Sequence, residues 1–472
     1  MKAIRERVGS LTRTKFLYFF MGTVYFAFHK FRKNIMENFG LMNTRNTAIS
    51  IMLINFIGLV AVYGWTRLSD KFQRHKEIMI ATSMMNGLIP VLFLVREYFY
   101  TPEGGWENAS SSNFGKRKMS EMTSAEVWWT QVFPGALFIL HSIFNVPMQP
   151  LLDDQALKII ISNGYKKEDY GRQRSFSTMS YLVVTLLGAA GLFREWNYTS
   201  GKKIVWPLLF FAFLYAFLIY VFVPSNAEQQ AMLGKLEEKE EQERAKNPKE
   251  ATPEMDRTNK KSIFLNVGFL IFLSAVFLNG IVRGVMSYYH GTYMTKVVGY
   301  TSIETVLGDF YGVGMEMILF IYGRVVLQTI SLYWLMIFGQ IAIAVRTAMY
   351  TFTPVENTED FEGGAKATEK NQGLLWVFYL AEMLKGLSFG LIHLSGVSIA
   401  KDSAAKGQEA QAQGLYNGVF ANLAGGISAV LFESTTEGSY PDHPNMRFWW
   451  VLALAVVTIP YLLIIYRARK KI

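Results

Sequence analysis

Blocks of about 20 apolar residues recur along the whole chain, and that repetition constrains the fold more than any other feature. A helix of this length spans about 30 Å, the hydrocarbon thickness of a bilayer. Residues 204–223 and 448–466 are the clearest examples. Twelve such segments can be read, with cores at 16–36, 46–66, 77–95, 127–149, 176–194, 204–223, 262–289, 303–323, 330–352, 373–399, 412–434 and 447–466. The expected fold class is therefore all-α, a polytopic membrane protein with twelve transmembrane helices. Span 1 is expected to act as an uncleaved anchor, because no small-residue cleavage site follows it.

The net charge of +10 then needs a membrane reading. One side of the expected topology (N-terminus, loops 2–3, 4–5, 6–7, 8–9 and 10–11, C-terminus) carries 29 of the 47 Lys and Arg, against 15 on the other. Cytoplasmic segments collect Lys and Arg, so both termini are assigned to the cytoplasm of a plasma membrane or endomembrane. The positive balance reflects topology and contact with the lipid bilayer, not a nucleic-acid surface. Two Asn-x-Ser/Thr sequons, at Asn108 and Asn197, both fall in loops expected on the opposite face, where glycosylation occurs.

Several function classes are excluded. With no cysteine there is no disulfide framework, thiolate metal site or cysteine nucleophile. Six His without a His-Glu-x-x-His run argue against a catalytic zinc. A phosphate-binding Gly-x-x-x-x-Gly-Lys-Ser/Thr loop is missing, so direct use of ATP is not expected. No cofactor is expected, and no enzyme constellation is visible. Loop 6–7, residues 224–261, carries eight Lys/Arg and nine Asp/Glu and divides the spans six and six. It is read as a solvated linker between an N-terminal bundle (1–223) and a C-terminal bundle (262–472), the alternative being a docking site for a cytoplasmic protein partner.

Charges inside the spans are the candidate functional residues, because charge at membrane depth is costly and marks cavities and ion pathways. His29, Lys30, Arg32 and Lys33 share one face about 160° wide if span 1 continues as a helix through them. That face suits an anionic solute at a vestibule, or snorkelling to headgroups with Glu37 as partner. In span 7, Arg283 and His290 are seven residues apart and nearly share a face. Span 4 presents His141, Asn145 and Gln149 at i,i+4 spacing, a polar stripe suited to a cavity wall or to interhelical hydrogen bonds. Glu316, with Asp309 seven residues before it, and the Glu382–Lys385 pair are candidates for proton coupling or for structural ion pairs. Asp153 and Lys158 at the end of span 4, with Arg172 and Arg174 at the start of span 5, sit where opposite charges can latch the cytoplasmic side as a gate; Asp154 is an alternative partner there.

Local strings carry a family resemblance. Tyr170-Gly171-Arg172-Gln173-Arg174 ahead of span 5 resembles the Tyr-Gly-x-x-Arg string of one branch of the major facilitator superfamily, that of the lactose, nucleoside and phenylpropionate proton symporters and their eukaryotic orphan relatives. Pro150-Leu151-Leu152-Asp153, the stretch Glu382–Gly390 and the stretch Gln411–Gly418 are similar to the same branch. Two departures stand out. Thr66 and Gln73 stand where the superfamily's loop 2–3 signature has glycines, although its charges are kept at Asp70, Lys71 and Arg74, which the resemblance implies belong to the cytoplasmic gate; and Lys30-Phe31-Arg32-Lys33 replaces the branch's Pro-Phe-Leu-Pro. The resemblance implies two six-helix bundles around a cavity that opens alternately to each side. It also implies a secondary active transporter of a small organic solute, in symport with protons. The cationic faces of spans 1 and 7 point to an anionic solute. A neutral sugar or nucleoside, and a receptor or scaffold of the same shape that moves nothing, stay open.

Overall fold

In the computed structural model, the described residues are 9–29, 32, 35–101, 122–165, 169–187, 198–225, 227, 228, 231, 234, 266–292, 294, 300, 302–353, 372–404, 408–436 and 446–469. They fold into helices and short connections. Span 1 is Ser10–His29, span 2 Thr44–Phe72, span 3 His75–Phe99, span 5 Tyr170–Leu187 and span 6 Tyr198–Phe222. Span 7 is Val267–Thr292, span 9 Leu332–Phe352, span 10 Gln372–Ser403 and span 12 Met446–Arg469.

The other three spans are composite. Span 4 starts in a capping box, Thr123 with Glu126, which satisfies two orphan N–H groups. It then runs through a π turn (Val127–Val132) and two helices, Phe133–Asn145 and Met148–Ser162, broken at Pro147. Pro147 lacks the N–H that an unbroken helix would use. Span 8, Ser302–Ile321, bends by 64° into Gly323–Thr329. Span 11 is Glu409–Asn417, a π turn at Gly418–Leu423, and Ala424–Thr436.

Eight of the described helical segments are long and apolar enough to cross a bilayer, and a ninth if the bent pair of span 8 counts as one. Span 5 also buries hydroxyl groups: its Ser175, Ser177, Thr178 and Ser180 all face protein. A span that faces other helices can carry hydroxyl groups; a lipid-facing one cannot leave them unsatisfied.

Within the first six spans, 1 packs on 5 and 6, 3 on 6, and 4 on 2 and 3. Within the second six, 9 and 8 both pack on 10, 9 on 12, and 7 on 11 and 12. The two sets meet along two seams, span 2 against 11 and span 5 against 8, and also where the second helix of span 4 meets the start of span 11. That last contact lies at the end of the bundle where Ser10 begins span 1, here called the terminal face. Close backbone approach at the span 5–8 seam needs Gly171, whose added Cβ would sit 2.6 Å from the carbonyl oxygen of Phe320.

In span 1 the described α-helix runs to His29, Arg32 is helical, and Ile35–Phe39 form a π turn. Lys30 and Lys33 lie outside the described residues. Arg96 holds the turn in place: fully buried, it donates to the carbonyls of Gly40 (3.0 Å) and Phe39 (2.5 Å), and its guanidinium lies over the Phe39 ring. Asn108, Asn197 and most of loop 6–7 also lie outside the described residues.

Candidate functional site

A cavity sits on the inner face of the first bundle and is closed by one residue from the second. Span 1 contributes Tyr25, His29 and Arg32; span 4 contributes His141, Ser142 and Asn145; span 2 contributes Asn55 and span 11 Asn422. The i,i+4 spacing sets His141 and Asn145 one above the other. The π turn of span 11 carries Asn422 to the opposite wall; such turns commonly re-aim side chains at functional positions. His29 stacks on Tyr25, ring centroids 5.2 Å apart, and Phe28 and Phe138 form the apolar floor.

Three buried polar atoms in this cavity have no hydrogen-bond partner among the described residues: His141 Nε2, Asn145 Oδ1 and Asn422 Nδ2. Each such atom costs about 1–3 kcal/mol unless something polar meets it. The enclosed space is only about 20 Å³, room for about one water, so a larger guest needs the walls to part.

A second polar centre lies within spans 7–10. Glu382 is fully buried and is the hub. Its Oε1 accepts from Arg346 Nη2 at 2.6 Å and from the Tyr350 hydroxyl at 3.0 Å, with His290 Nε2 at 3.2 Å. Its Oε2 accepts from Lys385 Nζ at 2.7 Å, and the same ammonium donates to Asp309 Oδ1 at 2.8 Å. Lys385 and Glu382 thus meet, as their spacing suggested, and His290 joins them. Arg283 does not. Its guanidinium lies between the rings of Phe389 and Phe420, 5.1 Å from each centroid.

Glu316 stands apart from that centre. It is half-buried, accepts a hydrogen bond of 2.6 Å from Thr178 across the span 5–8 seam, and among the described residues has no cation within ion-pair distance.

The terminal face holds the third group. Asp70 Oδ2 accepts from the backbone N–H of Gln411 at 3.0 Å, joining span 2 to span 11, and Gln411 Nε2 donates to the Tyr63 hydroxyl at 2.8 Å. Buried His75 hydrogen-bonds Ser69 and lies between Asp70 (4.0 Å) and Asp154 (3.7 Å). Asp154 takes the ion pair with Lys158 at 2.7 Å. Asp153, also buried, accepts from Tyr18 at 2.8 Å and faces Arg174 at 4.0 Å. Asp169 and Arg324 pair at 3.6 Å between spans 5 and 8. Lys71, Arg74 and Arg172 are exposed and take no part in these bonds; Lys71 rests over the Phe72 ring. Gln149 is half-buried one turn before Asp153. Tyr18, His75 and Tyr350 carry no signal at their sequence positions, and only the fold brings them to charge.

Comparison with known proteins agrees with this architecture. A family model described as "MFS_1 like family" matches residues 11–432. The solved nucleoside transporter NupG is similar in structure, with a TM-score of 0.61, 12% identity and coverage of 97% of this chain and 99% of that one. The proton:xylose symporter XylE, solved with 6-bromo-6-deoxy-D-glucose, is similar with a TM-score of 0.60, 11% identity and coverage of 96% and 95%. No curated protein sequence matches significantly.

Proposed function

We propose, for a chain that belongs to the MFS_1 like family and is thus a multi-pass membrane transporter rather than an enzyme, that it carries a small polar organic solute by alternating access in symport with protons. One observation carries this reading: unpartnered polar atoms from both halves, His141 Nε2 and Asn145 Oδ1 opposite Asn422 Nδ2, meet in one cavity. A solute that bonds to both walls holds the halves together while bound and lets them part when it leaves. Differential binding of that kind is what alternating access requires.

Arg32 and His29 at the cavity's edge favour a solute with an anionic group. The amides of Asn55, Asn145 and Asn422 favour the second reading, a neutral polyhydroxyl or nucleoside-like solute. NupG is titled a nucleoside transporter and XylE a proton:xylose symporter, which is consistent with the second. Glu316 is the proposed proton carrier. Glu382 and Lys385, tied into four charged or hydroxyl partners, are assigned to holding spans 7–10 together. Asp70, Asp153 and Arg174, with Asp154 and His75, are assigned to closing the terminal face.

The charge asymmetry supports a topology with both termini in the cytoplasm, bundles at 1–223 and 262–472, and a cytoplasmic linker at 224–261. Asn108 and Asn197 then face outward as glycosylation acceptors. The test is solute uptake by purified protein in proteoliposomes, screened with acidic, neutral sugar-like and nucleoside-like solutes. Uptake is expected to rise with an inward proton gradient. Uptake that is indifferent to collapse of the gradient removes the symport claim. Saturable binding without flux of any solute favours the receptor reading, in which case deleting 237–250 should abolish partner binding.

A further inference from the structure

Beside the span 5–8 seam, at the terminal face, lies a groove of about 250 Å³ that the transport reading does not use. Span 1 supplies Lys15, span 5 supplies Arg172, Phe176 and Met179, and span 8 supplies Met317 and Ile321. Its two ends differ in chemistry. Arg172, in the first turn of span 5, is exposed, and Lys15 is half-buried with its ammonium 5.3 Å from the centre of the Phe176 ring. Among the described residues neither cation has a carboxylate within ion-pair distance, unlike Lys158, Arg324, Arg346 and Lys385. The remainder is an apolar slot of one aromatic, two thioether and one aliphatic side chain. Ser175, the other polar lining residue, donates to the carbonyl of Arg172 and so is already satisfied.

Two unpaired cations over an apolar slot match an amphiphile with an anionic head and a hydrocarbon tail. We propose that this groove binds one anionic phospholipid, its phosphate between Lys15 and Arg172 and an acyl chain along Phe176, Met179, Met317 and Ile321. Basic recesses between transmembrane helices on the cytoplasmic side attract such headgroups, and anionic lipid is concentrated in that leaflet. The occupant touches both halves: its head is held by spans 1 and 5, and its tail reaches span 8. The lipid therefore favours the arrangement in which spans 5 and 8 are packed as seen, with Gly171 against Phe320 and Asp169 paired to Arg324. The inference does not depend on which solute is carried.

The test is thermal stability of the full-length purified protein in detergent with added lipid. Phosphatidylglycerol is expected to raise the apparent melting temperature, because a ligand of the native state stabilises by mass action. Phosphatidylcholine and inorganic phosphate at the same concentration are expected to give no shift. Lys15→Gln/Arg172→Gln should weaken the phosphatidylglycerol effect by about tenfold or more in concentration, since each cation contributes several-fold to anionic-lipid affinity. Met317→Trp, which fills the slot and keeps both cations, should weaken it too. An equal shift with phosphatidylcholine, or an undiminished one in the double variant, overturns the proposal. A full shift from inorganic phosphate alone replaces it with a simple anion site. Should either variant misfold, native mass spectrometry of the wild type decides: one bound phosphatidylglycerol, exchanged by excess phosphatidylglycerol of a different acyl length and not by phosphatidylcholine, is the expected result, and equal displacement by both overturns it.

Discussion

Thr178 donates its hydroxyl to Glu316 across the seam between the two bundles, at 2.6 Å. The bond links the state of one carboxylate to the contact between halves. A proton on Glu316 turns a charged acceptor into a neutral one and weakens the bond, since hydrogen bonds to ionised groups are the stronger class. Glu316→Gln is fixed in the neutral form and keeps an acceptor oxygen. In proteoliposomes it should still exchange solute, while the steady-state accumulation ratio under a proton gradient falls to about one, because a carrier without differential proton binding does no work on the gradient. Retained uphill accumulation would remove Glu316 from the coupling role.

Glu382 is expected to behave in the opposite way. Its two oxygens meet Arg346, Tyr350, His290 and Lys385, and the residue is fully buried. Glu382→Ala leaves the buried Arg346 guanidinium without its carboxylate, while the half-buried Lys385 keeps Asp309. Removing one member of a buried ion pair costs about 3–5 kcal/mol. A large drop in melting temperature is expected, with Glu382→Gln less affected because it still accepts from Tyr350. Normal stability with lost coupling would show that the cluster is functional instead.

Spans were legible because hydrophobic thickness is a length constraint that each segment meets by itself. Rotation about the helix axis was not. Arg172 and Arg174 are two residues apart and hence about 200° apart on the helix. Arg174 is buried between the Tyr18 and Phe320 rings, whereas Arg172 points out. At the same charge and depth, packing decides which of them reaches Asp153. Glu382–Lys385 was legible from its i,i+3 spacing, but Arg346 and Tyr350 join it from a helix 36 and 32 residues away. In the cavity, the His141–Asn145 stripe was readable from helical period. Asn422 was not, because a π turn breaks that period.

Those cavity residues permit a test that separates function from structure. His141 Nε2, Asn145 Oδ1 and Asn422 Nδ2 have no hydrogen-bond partner among the described residues, so their removal forfeits no such bond at those atoms. Asn422→Ala should leave stability unchanged or slightly raised, because an unsatisfied buried group is costly. The same variant should raise apparent KM for the solute by about tenfold, the worth of one hydrogen bond of about 1.4 kcal/mol. The two readouts move in different directions only if the partner is the solute. A stability loss with unchanged KM would assign Asn422 to packing.

The terminal face offers the last prediction, and the absence of cysteine makes it directly measurable. Thr66 is fully buried there, and a Cβ added at Gly414 would lie 2.6 Å from its hydroxyl, so the two halves touch at this point. A single Thr66→Cys reports separation of spans 2 and 11 through its rate of alkylation. Asp70 holds the same seam by accepting the Gln411 N–H. Asp70→Ala removes that bond and leaves the Gln411 N–H without its acceptor, a loss of about 1.4 kcal/mol, so the open fraction should rise about tenfold. Alkylation should accelerate by that factor in the Thr66→Cys/Asp70→Ala protein, and a saturating solute that favours the closed form should slow it again. Equal rates with and without Asp70 would mean that His75, Asp154 and the Asp169–Arg324 pair keep this face shut without it.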